Sequence, residues 1–247
     1  MKVLFLNVSP KQRFSVSQYF LDLLKIQMAG IKIKEVKLSG KKVYEEIFES
    51  FKKIDTLVIA LPVYVDGIPS NVLEFLTEAE YFCKKEKCCF KVYIMSNCGF
   101  YEGQQCKNSL AILRSFCSAA GLEWGAGLGI GSGEMFNIVR LTIPIFLVIK
   151  LILSMPVLIL SGNFFEGLAN YNWISVIINI TLFIAFNFGL FVSLFKMQRL
   201  IVKKKTKHDF YTKATCCPRF LFTYFGNYYW IIRALFRGTN YFQLYKK

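Results

Sequence analysis

Short apolar runs and stretches of helical spacing alternate along the first 130 residues. The pattern predicts strands over 2–8, 31–38, 55–61, 91–96 and 122–130, with helices over 15–28, 42–52, 70–83 and 105–120. Ser15 and Gln18 make a capping box before the first helix, whose core face is Phe20, Leu23, Leu24 and Met28. The run IKIKEVKL alternates apolar and polar residues apart from the Lys34–Glu35 step and suits a sheet edge, whereas LVIAL lacks polar alternation and suits a strand covered on both faces. Repeated alternation of strand and helix calls for an α/β fold: a five-stranded parallel sheet with helices on both faces, built from residues 1–136.

Past Glu134 the pattern changes. Residues 138–160 are largely apolar, with Arg140 and Lys150 as their only charges, and residues 173–195 carry no charge at all. Both are long enough to cross a hydrocarbon layer of about 30 Å. The second reads as a transmembrane helix. The first, with Lys150 near its middle and Pro144 and Pro156 loosening it, is either a span paired with its neighbour in a hairpin or a re-entrant or interfacial segment. Residues 137–200 are therefore read as membrane segments and 201–247 as a basic aromatic tail, cytosolic or interfacial. KMQRLIVKKKTK after the second segment is dense in cations, whereas the linker SGNFFEGLANYN holds one charge, Glu166. The positive-inside rule then places both the tail and the N-terminal domain on the cytoplasmic side of the cell membrane.

Composition sharpens this division. The chain has 247 residues and a mean hydropathy of +0.40, too apolar for one ordinary water-soluble domain. Of its net charge of +15, residues 141–247 supply +11. Such an excess fits nucleic acid or anionic lipid, and the aromatic setting of these cations favours membrane lipids over nucleic acid. The segment CCPRFLFTYFGNYYWIIRALFRGTNYFQLYKK fits the headgroup region; packed against the protein's own domain, it would instead be a basic amphipathic helix. Eight cysteines lack any C-x-x-C pair and the only histidine is His208, so no metal site is expected. Reduced thiols are the plain reading, with a cluster on Cys83, Cys88, Cys98 and Cys106 as the alternative.

Ligands of open parallel sheets sit beyond the carboxyl ends of the strands. Three loops fall there. NVSPKQRFSVS offers Ser9, Ser15 and Ser17 hydroxyls, the Lys11 and Arg13 charges and a helix N-terminus, an anion site in character. It carries neither a P-loop nor a G-x-G-x-x-G turn. PVYVDGIPS and SNCGFYEGQQ each combine glycine with an aromatic residue, suited to a flat ligand.

These three loops resemble those of the flavodoxin-like NAD(P)H-dependent FMN reductases, and the likeness covers residues 1 to about 135. GLEWGAGLGIGSGEM and PRFLFTYFGNYYW are also similar to segments of clostridial-type members. The resemblance implies noncovalent FMN, with its phosphate at Ser9, Lys11, Arg13, Ser15, Val16 and Ser17. It implies the flavin ring between Pro62, Val63, Tyr64, Val65, Asp66 and Gly67 on one side and Asn97, Cys98, Gly99, Phe100, Tyr101 and Gly103 on the other. It further implies NADH or NADPH as hydride donor, a small-molecule or quinone acceptor, and room for a homodimer. A non-enzymatic electron carrier and a membrane interaction protein with a degenerate flavodoxin fold are the alternatives. No side chain is singled out as catalytic, since hydride transfer to a flavin needs no dedicated acid or base.

Overall fold

The computed structural model describes residues 1–11, 15–64, 67–133, 135–136, 148, 152, 173–212 and 218–238. All of the segment read at 138–160 lies outside the described residues except Val148 and Ile152, and so do Arg13, Val65 and Asp66. Six parallel strands form the sheet: β1 (Lys2–Asn7), β2 (Lys32–Lys37), β3 (Thr56–Pro62), β4 (Lys91–Asn97), β5 (Glu123–Ile130) and β6 (Phe210–Thr212). The helices are α1 (Val16–Gln27), α2 (Tyr44–Phe51), α3 (Ser70–Glu86), α4 (Lys107–Ala119), α5 (Trp173–Val202) and α6 (Arg219–Leu235). Strand order β2-β1-β3-β4-β5-β6 contains the doubly wound, flavodoxin-like order 2-1-3-4-5. β6 is one strand more than the five expected. It is only three residues long, too short to register as an apolar pattern.

Alternation along each strand builds two cores. Leu4, Leu6, Ile59 and Ile94 face α2, α3 and α4, where Ile47, Phe75 and Leu110 are buried. Val3, Phe5, Val58 and Met95 face the other way, onto Phe20 and Leu24 of α1. That second face is completed from far along the chain, by Leu190, Leu194, Met197 and Ile201 of α5.

α5 changes the reading of residues 173–195. Among the described residues no single helix is long and apolar enough to cross a membrane; Val176–Ala185 and Asn187–Val202 pass such a test only as a pair bent by 50°. Below the bend, α5 packs on the sheet through Leu190 and Leu194, inside the stretch expected to lie in lipid. Above it, Ile174, Ile177, Ile178, Ile180 and Ile184 are exposed. The apolar run hid this division because the outward side of the packed half is also apolar, with Phe188, Val192 and Phe195 exposed.

Polar contacts secure the end of α5. The buried Tyr93 hydroxyl lies 2.9 Å from the Leu200 carbonyl and 3.0 Å from that of Lys205, and its burial pushes the phenol well above its ordinary range. Lys91 Nζ donates to the Lys204 carbonyl at 2.7 Å and pairs with Glu123 at 2.5 Å. Asp209 then docks the chain beside β5: its carboxylate accepts from the Gly127 N–H at 3.0 Å, from Trp124 Nε1 at 3.3 Å, and from Arg114.

Candidate functional site

At the carboxyl edge of the sheet the loops after β1, β3 and β4 enclose a cleft of about 400 Å³. The first loop is pinned by its own polar groups. The Ser9 N–H donates to Asn7 Oδ1 at 3.0 Å, Asn7 Nδ2 donates to Gln18 Oε1 at 2.8 Å, and Lys37 Nζ donates to the Lys11 carbonyl at 2.6 Å. Ser15 is the N-cap of α1 and accepts from the Gln18 N–H at 3.4 Å. Only half of the expected capping box forms, because the Gln18 side chain turns to Asn7 and Asp22 instead. The N–H groups of Val16 and Ser17 belong to a first turn that has no intrahelical acceptor.

The other two loops are joined to the first through Asn97. Its Oδ1 accepts from the buried Ser17 hydroxyl at 2.9 Å, a link across 80 residues, and its carbonyl accepts from the Val63 N–H at 2.7 Å. This second bond carries the β3–β4 ladder one step past Pro62. Tyr64 and Gly67 then exchange two 3.0 Å backbone bonds. After β4, the Cys98 N–H donates to the Ile130 carbonyl at 3.0 Å, and its own carbonyl accepts from the Gly133 N–H at 2.8 Å.

Ten residues singled out in the sequence line the cleft: Ser9, Lys11, Val16, Ser17, Pro62, Val63, Tyr64, Asn97, Cys98 and Gly99. The other described ones stand around it. Ser15 supports the helix start, Gly67 pairs with Tyr64, and Phe100 is exposed. Tyr101 lies with its ring 5.2 Å from Phe222 of α6, and Gly103 is buried against the end of β5. Two lining residues were not foreseen, Trp230 and Arg237, which α6 and the turn after it bring over the loops. The interleaving of aromatic and cationic residues marked this helix, but nothing in its spacing ties it to loops more than a hundred residues earlier.

Among the described lining residues there is no carboxylate and no imidazole, so these side chains offer hydrogen bonds, positive charge and apolar surface rather than acid–base chemistry. The buried cysteines among the described residues are equally quiet. Cys83 and Cys88 lie at the C-terminal end of α3 and just beyond it, while Cys98 and Cys106 lie beyond the carboxyl end of β4, at the opposite edge of the sheet. Cys106 donates to the Ser96 carbonyl at 3.3 Å; its hydrogen bond with Cys98 and its burial push its thiol far up, and burial alone pushes Cys117 up to about 12. A thiol reagent at pH 8 is expected to label the exposed Cys89 and to spare Cys83, Cys106 and Cys117 until denaturant is added, as read by peptide mass analysis. Labelling of Cys106 in the folded chain would show that the loop between β4 and α4 opens.

No protein-family model matches the sequence, and no curated protein matches it. Among solved structures the chain is similar to the Trp repressor binding protein from Bacillus subtilis, at 12% identity and a TM-score of 0.44, over 51% of this chain and 85% of that one. It is similar to an NAD(P)H:quinone oxidoreductase from Methanothermobacter marburgensis, at 14% identity and a TM-score of 0.42, over 57% and 94% of the two chains. It is likewise similar to an azoreductase from Bacillus anthracis str. Sterne, at 15% identity and a TM-score of 0.38, over 55% and 89%.

Proposed function

We propose that the protein is a membrane-associated, FMN-dependent NAD(P)H oxidoreductase that passes electrons to a small or quinone-like acceptor. The supporting observation is the composition of one cleft. It gathers the first turn of α1, the Ser9 hydroxyl and the Lys11 and Arg237 cations with Pro62, Val63, Tyr64, Gly99 and Trp230. The former group suits a phosphate, by helix-terminus physics and charge-assisted hydrogen bonds. The latter suits an aromatic ring system, and the volume lies in the range of sites for molecules of that size. FMN, when bound, would supply the hydride acceptance and onward electron transfer that none of these side chains can. The chain's own part is to bind, orient and shield.

Membrane association is part of the same reading. The exposed, isoleucine-rich half of α5 follows the apolar stretch at 138–160, and the cations after Phe195 favour a cytoplasmic placement of the cleft. The nicotinamide donor is available there.

The test uses the purified full chain. FMN is expected to bind with quenching of its fluorescence, and NADH or NADPH alone should bleach the bound flavin without an added reductase. Binding without bleaching would leave an electron carrier, and no binding would end the flavin assignment. Lys11→Gln is expected to weaken FMN by about tenfold to a hundredfold, the worth of a charged hydrogen bond, with riboflavin hardly affected. Equal weakening of both ligands would remove Lys11 from any phosphate site.

A further inference from the structure

Among the described residues, the first half of α5 and all of α6, which carry many exposed apolar side chains, lie at the same edge of the sheet as the cleft. Two contacts set the level of α5. Tyr19, in the first turn of α1, reaches Asn187 Oδ1 at 3.5 Å, and Thr212, at the carboxyl end of β6, donates to the Gly189 carbonyl at 3.3 Å. Residues 173–186 of α5 therefore run out beyond the carboxyl edge, on the order of 20 Å of helix path at 1.5 Å per residue. Ile174 in this part is 70% exposed. α6 lies on that edge too, held by Arg219 to Glu102 at 3.7 Å and by the Tyr101–Phe222 ring contact. Its outward residues include Phe220 at 71% exposure and Tyr224 at 55%, followed by Phe236 at 89%. The amino edge of the sheet is different in kind: there Asp55 accepts from the Lys2 N–H and pairs with Lys204, and Lys91 pairs with Glu123.

We propose that the cleft edge, with α6 lying on it, docks on an anionic bilayer, so that the cleft opens at the lipid interface and draws a quinone-like acceptor from the membrane. The identity of the acceptor rests on the function proposed above; the docking does not. Phe, Tyr and Trp interleaved with Arg are the chemistry of the headgroup layer, where rings sit among the glycerol groups and cations meet phosphates. No acidic residue follows Asp209 in the chain. A second copy of the protein is the poorer occupant, because a two-fold contact would bring together two copies of the same basic segment, which holds no acidic residue to offset its charge. The projecting half of α5 offers a second exposed apolar surface, with Ile174, Ile177, Ile178, Ile180 and Ile184 exposed.

Brominated acyl chains in phosphatidylglycerol vesicles report the orientation, since they quench tryptophan only at short range. Two versions of the full chain are compared. One carries Phe220→Trp with Trp124, Trp173 and Trp230 changed to Phe; the other keeps Trp124 alone, near the amino edge. The tryptophan at position 220 is expected to be quenched several-fold more than Trp124, and more weakly when neutral phosphatidylcholine replaces the anionic lipid. Docking is overturned if Trp124 is quenched as strongly, or if position 220 is unquenched while the chain floats with the vesicles. An unquenched position 220 in a chain that elutes as a dimer would assign the surface to a second copy. Should loss of the Trp124–Asp209 hydrogen bond unfold the first version, Phe220→Trp in the otherwise native chain gives the same reading as a difference from the native chain. FMN titration of the same samples separates the two ideas. Quenching without FMN binding keeps the docking and ends the flavin reading, and FMN binding without quenching does the reverse.

Discussion

A chain ending at Phe136 is expected to show no cooperative melting, although it contains β1 to β5 and α1 to α4. The reason is the face of the sheet that α1 alone cannot cover. Val3, Phe5, Val58, Met95 and Leu128 share one cluster with Leu190, Leu194, Met197 and Ile201 of α5, and without α5 that side of the sheet meets water. Burying a leucine fully contributes about 1.5–3 kcal/mol, so losing four such side chains and uncovering their partners exceeds the usual margin of stability. Excising residues 137–186 and joining the ends with a short Gly-Ser linker should do far less harm. Phe136 packs on Phe20 at 5.7 Å and Asn187 meets Tyr19, so both cut ends lie against the start of α1. This excised chain is expected to melt cooperatively, bind FMN and hold membranes more weakly, through α6 alone. Leu190→Ala and Leu194→Ala in the full chain should each cost about 2–5 kcal/mol, the range for buried leucines; a leucine facing lipid would cost much less. Cooperative unfolding of residues 1–136 alone would show that α5 is dispensable.

The boundary drawn in the sequence at residue 136 shows where periodicity stops being informative. Every strand and helix before it was legible, because each covers one or both faces of the sheet with a period of its own. α5 was not, since an amphipathic helix whose outer face is also apolar has the same profile as a membrane span. β6 was invisible for the opposite reason, too short for any period. The loops were legible as loops, yet their polar groups have other work than expected. Ser15 and Ser17 were expected to offer hydroxyls to a ligand; both are buried, Ser15 as the cap of α1 that the capping box had indicated and Ser17 as the donor to Asn97. Replacing both with alanine would therefore cost stability, about 1–3 kcal/mol between a lost cap and an unpaired amide oxygen, and would blur any measurement of affinity. Lys11, half-exposed on the cleft, is the cleaner probe. Trp230 and Arg237 could not have been placed in the site from the sequence, because only the folded chain carries α6 back over loops that precede it by so many residues.

The glycines of GAGLGIGSG are the last feature whose meaning needed the fold, and they carry the second large expected effect. The loop after β4 crosses directly over the end of β5. A methyl group at Gly103 would stand 2.4 Å from the Gly129 carbonyl oxygen, one at Gly129 would stand 2.5 Å from the Gly103 carbonyl oxygen and from the Tyr211 ring, and one at Gly131 would stand 2.4 Å from the Tyr101 carbonyl oxygen. Most of these obstacles are backbone, so no side chain can turn aside to relieve them. Gly129→Ala is expected to cost about 3 kcal/mol, the upper part of the range for overpacked sites. For a domain of this size that lowers Tm by roughly 6–12 °C. The strain has only one direction in which to relax, because β5 is held between β4 and β6 while the segment at 98–103 is exposed at its tip. Relief would push Cys98 and Gly99 into the cleft, so FMN affinity should fall together with stability in Gly129→Ala and in Gly103→Ala. Gly99→Ala is the control: a methyl group there meets nothing within 4 Å, and its melting temperature should stay within about 2 °C of the native chain. Native-like melting of Gly103→Ala and Gly129→Ala would mean that the loop after β4 does not rest on β5 as described, and the ring side of the cleft would then have to be redrawn.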